Sequence, residues 1–227
     1  MNLRLISFTL SSLALSTSLL CAADLTTYRN FRLGMSVAEI TQQTGVMPQE
    51  VKLISSRPER IDELDWKMNW TPPVAGVRAD PFREIDFRFY NGALSELTVT
   101  YDPDRTAGLT DADMVEALTG IYGAPSKAAV PDVAFNTGYS KTVKVLAHWE
   151  DAQNQLSAVR LPYEAGFGII LLSKSSTAKS EKAMLESDRL DRVEAPQREL
   201  ALEAKRAAET LTKDAKSRST NKPGFTP

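Results

Sequence analysis

The sequence predicts an α+β fold: two tandem helix-plus-antiparallel-strands units sharing one sheet, helices on one face, followed by a charged C-terminal helical tail. Three observations carry this expectation. One pattern of helix start and stop signals occurs twice. Runs of alternating apolar and polar residues follow each copy. Composition then changes abruptly near Lys174. The predicted organisation is a signal segment over residues 1–23, a globular domain over 24–173 with units at about 31–101 and 109–173, and a helical tail with a disordered end over 174–227.

The first helix opens Leu33-Gly34-Met35-Ser36-Val37-Ala38-Glu39-Ile40. Ser36 and Glu39 have the spacing of a capping box, in which each side chain satisfies a free backbone N–H of the first turn. Met35 and Ile40 flank the box as a hydrophobic staple. Gly45 suits the left-handed position after the helix, and Pro48 prevents its resumption. The second helix repeats this order. Thr110 caps, Asp113 takes the box position, Leu109 and Met114 form the staple, Gly123 ends the helix and Pro125 follows. Val115, Leu118, Ile121 and Tyr122 supply its predicted apolar stripe.

Strands are expected after each helix. Trp66, Met68 and Trp70 alternate within 64–70, and Ile85, Phe87 and Phe89 alternate with Asp86, Arg88 and Tyr90. Asn91-Gly92 is a type I′ hairpin signal, because both central residues of that turn need a positive φ. Leu97, Val99 and Tyr101 then alternate with Glu96, Thr98 and Thr100. The second unit offers strands over 143–149, 156–163 and 167–173, with a turn over 151–154. A Pro- and Gly-bearing loop over 71–81 reads as an insertion between two strands.

The first 23 residues read as a secretory signal: Arg4, an apolar stretch over 5–20, then Cys21-Ala22-Ala23 offering small residues for cleavage before Asp24. Export to the periplasm or beyond is the expectation. Acylation at Cys21, the one cysteine of the chain, is the alternative that would tie the protein to a membrane. Cleavage after Ala23 leaves no thiol, which excludes a disulfide framework, a CxxC redox site and a Cys-based zinc site. A formal net charge of −2 gives no reason to expect a nucleic-acid partner.

Gly34-Met35-Ser36-x-x-Glu39-Ile40, followed by an aromatic strand, an Asn-Gly hairpin and another strand, resembles the start of small bacterial envelope proteins of the SmpA/OmlA type. The doubling resembles the β-lactamase-inhibitory-protein-like (BLIP-like) architecture, with Tyr122-Gly123-Ala124-Pro125 and His148-Trp149-Glu150 in the second unit. The resemblance covers about residues 31–173 and rests on caps, turns and core aromatics. It implies the shared-sheet fold and a place in the cell envelope. The insertion and the tail lie outside the pattern.

No catalytic constellation is legible. His148, the one histidine, is expected half-exposed on a strand. It has no GxSxG serine and no second histidine to work with. The acids Asp102, Asp104, Asp111 and Asp113 match a calcium loop only in part, and turn and cap chemistry accounts for them better. Gly166-Phe167-Gly168 runs into a strand rather than a phosphate-binding helix. The chain is therefore expected to be non-catalytic, without cofactor or metal, and to bind another envelope or secreted protein. The candidate partner-binding face is Arg88, Tyr90, Glu96 and Thr98, on the sheet surface away from the helices. Two alternatives stand beside it: a secreted hydrolase using an Asp/Glu pair, and an inhibitor inserting the 71–81 loop into an enzyme's cleft.

The tail carries 12 Lys+Arg against 9 Asp+Glu. Helices are expected over 178–195 and 197–216, separated by Pro196. Leu190, Val193, Gln197, Leu200, Ala204, Ala207 and Leu211 recur at heptad-like spacing. The reading is a mobile charged helix, one resting loosely on its own domain, or a contact for a partner. Residues 217–227 are expected to be disordered.

Overall fold

The computed structural model describes residues 24–67, 81–127, 133–137, 139–161 and 166–224. The predicted signal segment, Met68, Trp70 and all of the 71–81 loop but Pro81 lie outside them. A short ladder of β1 (Thr27–Tyr28) and β2 (Phe31–Arg32) leads into α1 (Val37–Thr44), β3 (Lys52–Ser55), β4 (Ile61–Lys67), β5 (Phe82–Tyr90) and β6 (Ala93–Tyr101). The second unit runs α2 (Asp111–Tyr122), β7 (Val133–Thr137), β8 (Tyr139–Glu150), β9 (Asn154–Arg160) and β10 (Phe167–Ser173). One helix, α3 (Lys174–Asn221), completes the order.

The strands form one antiparallel sheet in the order β3-β4-β5-β6-β10-β9-β8-β7. Each unit is thus a helix and a four-strand meander, and the two meanders join through their last strands. Ile169 lies opposite Val99 and Leu171 opposite Leu97 at this junction. The tandem pattern of the sequence therefore becomes a near-symmetric eight-stranded platform. Strands β3 and β7 carry weak or interrupted alternation and had no signal in the sequence reading.

The face beneath α1 and α2 is the principal core. Phe87, Phe89 and Phe167 are fully buried there with Ile85, Leu97, Val99, Leu156 and Leu171. Each such side chain contributes about 2–3 kcal/mol of transfer free energy. Both capping boxes form: Ser36 Oγ accepts from Glu39 N while Glu39 accepts from Ser36 N, and Thr110 and Asp113 do the same. Gly45 takes φ 71° as the left-handed cap of α1. The Asn91-Gly92 turn has φ of 50° and 80°, as the hairpin requires.

In α2 the buried stripe is Met114, Leu118 and Tyr122, whereas Ile121 is 70% exposed. Burial follows the i, i+4 row, so the expected share of Ile121 is corrected. Tyr122 donates its hydroxyl to Thr27 O at 3.0 Å, and Trp149 Nε1 donates to Gly123 O at 2.7 Å. These bonds fasten the end of α2 to the N-terminal ladder and to β8.

Two expectations about the tail change. Helix α3 begins directly after β10 and continues through Pro196 without a break. Proline removes one intrahelical donor and presses on the carbonyl four residues back. Arg198 reaches across that turn and donates to both the carbonyl and the carboxylate of Asp191, at 3.0 and 2.9 Å, which ties the two sides of the proline together. Helix also extends through much of the segment expected to be disordered.

The second change is where α3 lies. Its first half crosses the sheet face opposite α1 and α2, passing over β10, β6 and β5. The described helices therefore occupy both faces of the sheet. On the second unit's side of that face, Val143, Val159, Leu161 and Ile170 form a smaller apolar cluster. The register shift between Val145 and Ala147 bends β8, and β7 comes back against β6. Among the described residues, no helix is long and apolar enough to cross a membrane.

Candidate functional site

The four residues read as a docking face do share one surface. Antiparallel register sets Arg88 opposite Glu63 on one side and Glu96 on the other, with Asp86 opposite Thr98. Tyr90 ends the same row on β5, since residues two apart on a strand share a face. Arg88 donates to Glu63 at 3.4 Å and lies 3.8 Å from Glu96.

This surface was expected to be open, and α3 covers part of it. Thr177 donates to Ser95 O, and Ser180 and Ala183 are buried against the strands. Ser55 donates to Ser187, and Arg57 closes the far end with bonds to Glu194 at 2.7 and 2.9 Å and to Asp191 at 2.9 Å. Thr98 is 3% exposed. Burial raises the Glu96 carboxyl above the usual carboxylate range. Arg88 opposes that shift, while Glu181 on α3 and Glu63 add to it. Tyr90 lines a space of about 340 Å³ with Pro58, Lys179 and Lys182. A groove of about 400 Å³ remains between α3 and the β3–β4 edge, walled by Ile54, Ile61, Met184 and Leu185 with Arg88 and Asp188 at its polar side.

Beyond Pro196 the helix leaves the domain. Every described residue from Ala195 onward is exposed. At 1.5 Å per residue, the helical stretch after Pro196 reaches roughly 40 Å. Leu200, Leu202 and Leu211 are uncovered along it, at 67%, 46% and 71% exposure, and Val193, just before the proline, is 62% exposed. Three of these four belong to the heptad-like row of the sequence.

A second cluster was missed by the sequence reading. Asp65, Glu84 and Asp86 bring carboxylate oxygens within 4.8 Å of one another. Asp65 and Asp86 are direct cross-strand partners, an arrangement that like charges disfavour. Burial, with Glu84, Asp65 and Glu63 nearby, pushes the Asp86 carboxyl up to about 8, and Lys67 opposes this. Alternation alone marks these three positions as one face of two neighbouring strands. The pairing of β4 with β5 that joins them spans the insertion and could not be read from spacing. The void beside Asp86, shared with Glu63, Arg88, Glu96 and Thr98, holds about 10 Å³, room for one water.

His148 is buried at 4% exposure, with Nε2 3.7 Å from Glu150 Oε1, so its expected half-exposed position is corrected. Its place opposite Ser157 on the covered face, not its position within the strand alternation, decides this. Of the four acids around the second helix, Asp102 and Asp113 serve a turn and a cap, while Asp111 is an ion-pair partner. Asp102 accepts from Asp104 N, Asp113 completes the box with Thr110, and Asp111 pairs with Arg160 at 2.7 Å. The loop assigned to the inhibitor alternative lies outside the described residues, apart from Pro81. Comparison with protein-family profiles, curated proteins and solved structures finds no match.

Proposed function

We propose that this chain is an exported, non-catalytic protein-binding or scaffold protein of a bacterial cell envelope, and that its partner docks on the projecting half of α3. The observation that carries this reading is that half-helix. It is a long, fully exposed element with an apolar row and contacts with its own domain only at its root. A helix is stable in water chiefly when it buries one face, so an uncovered row of leucines is a standing surface for another protein. The signal-like start of the sequence and its resemblance to SmpA/OmlA-type envelope proteins support export.

The reading shifts the docking surface from the sheet to the helix. Arg88 and Glu96 lie beside α3, and a partner reaching them would have to displace that helix first. The hydrolase alternative now has a named acid cluster, Asp65, Glu84 and Asp86. A water-sized void beside Asp86 weighs against it, because two carboxylates acting on a sugar need a separation and a cleft that admit the substrate.

Photo-crosslinking in the native cell tests the reading. A photoreactive residue replaces Leu200, Leu211 or, as a control, Thr98 in the full-length chain, and captured proteins are identified by mass spectrometry. The expected result is one recurrent envelope protein from both helix positions and none from Thr98. Capture from Thr98 alone, or a mature chain that fails to begin near Asp24 in the same spectra, contradicts it.

A further inference from the structure

We propose that Asp65, Glu84 and Asp86, with the hydroxyl of Thr100, form a binding site for a hard divalent cation such as Ca²⁺. The geometry points there from two sides. Three carboxylates from adjacent strands converge with oxygens within 4.8 Å. Hard divalent cations such as Ca²⁺ are held by carboxylates together with uncharged oxygens.

The second side is the state of the buried oxygens. Asp86 Oδ2 and Thr100 Oγ1 are fully enclosed and have no hydrogen-bond partner. Their residues are 7% and 2% exposed. Thr100 lies opposite Glu84 in the ladder, and Gly168, on its other side, adds no side chain. An enclosed carboxylate oxygen and an enclosed hydroxyl oxygen, orphaned on one face, call for a positive charge that accepts oxygen lone pairs.

The lysines present do not fill that role. Lys52 meets Asp65 and Lys67 meets Glu84 at 3.3 Å, but both ammonium groups sit largely in water, 58% and 71% exposed. They neutralise the rim and leave Asp86 without an ion-pair partner among the described residues. Asp65 and Glu84 are 27% and 17% exposed, so a cation has a path in from the solvent.

The inference is independent of the docking reading, because the site lies on the strands rather than on α3. The test uses the full chain freed of metal with a chelator, then titrated with CaCl₂ and followed by calorimetry and by the thermal unfolding midpoint. Calcium is expected to raise the midpoint, and chelator to reverse the rise. Asp86→Asn should weaken Ca²⁺ binding about tenfold or more, and the isosteric Thr100→Val severalfold. Above about pH 8, where Asp86 is ionised in the metal-free chain, Asp86→Asn should also unfold at a higher temperature than the parent, since it then removes one of the crowded charges. Glu84→Gln, at a more exposed position, serves where Asp86→Asn fails to fold. Terbium luminescence excited through Trp66, on β4 next to Asp65, gives a second readout. The proposal is overturned if millimolar CaCl₂ leaves the midpoint unmoved, or if the shift and the luminescence persist in the Asp86 and Glu84 variants.

Discussion

Arg88 shows how much a single side chain on the sheet is asked to do. It is the cation between Glu63 and Glu96, and Glu96 is enclosed by the strands and by α3. Removing Arg88 leaves the mostly buried Glu96 carboxyl without its cation; with the two side chains still 25% and 14% exposed, this costs about 1–2 kcal/mol. Arg88→Ala should therefore lower stability by about that much in urea denaturation. In a Glu96→Gln background the same change should cost clearly less, because a neutral amide needs no cation. Equal costs in both backgrounds would show that Arg88 acts through packing alone. The sequence placed Arg88, Tyr90, Glu96 and Thr98 on one face correctly, since alternation sets faces. It could not show that residues about 80–100 positions later return to cover that face, and for this reason the face was expected to be open. The acid trio was illegible for the same cause: cross-strand neighbours are fixed by pairing, not by spacing.

At the scale of elements, local signals were read best where they act locally. Both capping boxes, the Gly45 cap and the Asn91-Gly92 turn form as the residues dictate. Ser36→Ala should cost about 1 kcal/mol of stability, the usual value for losing an N-cap. The boxes also have a pH signature. Hydrogen bonds from the backbone and hydroxyl of Ser36 hold the Glu39 carboxyl below its ordinary 4.5, and those of Thr110 hold Asp113 below 3.8. On acidification the unfolded chain takes up these protons first. The stabilisation is complete above the ordinary values and is lost as the pH falls through the lower, folded ones. Thermal midpoints measured from neutral pH down to about pH 3 should fall less steeply in a Glu39→Gln, Asp113→Asn double variant than in the parent. A parallel pair of curves would deny the boxes this role. Pro196 is the case where a local rule misled. Proline disfavours helix, yet the flanking Glu194 and Asp191 are held by Arg57 and Arg198, and the helix runs on.

At the scale of the molecule, two similar units fuse edge to edge through β6 and β10, and the chain then folds back on itself. Doubling produces a broad sheet with two faces to cover. Helices α1 and α2 cover one, the bend of β8 and the root of α3 cover much of the other, and the rest of α3 is left over. That division splits one helix in two: its first half packs on the sheet and its second half stands exposed. The tandem units were legible because each carries its own start, stop and alternation signals. The role of α3 was not, because charged amphipathic sequence reads the same whether it docks or projects. Hydrogen–deuterium exchange of the full chain, followed by mass spectrometry, tests the division most directly. Backbone amides over residues 177–194 should be protected for as long as those of β5 and β6, while those over 198–221 should exchange within seconds to minutes. Uniform rapid exchange along all of α3 would mean that the sheet face is open after all, and uniform protection would mean that no part of the helix is free to receive a partner.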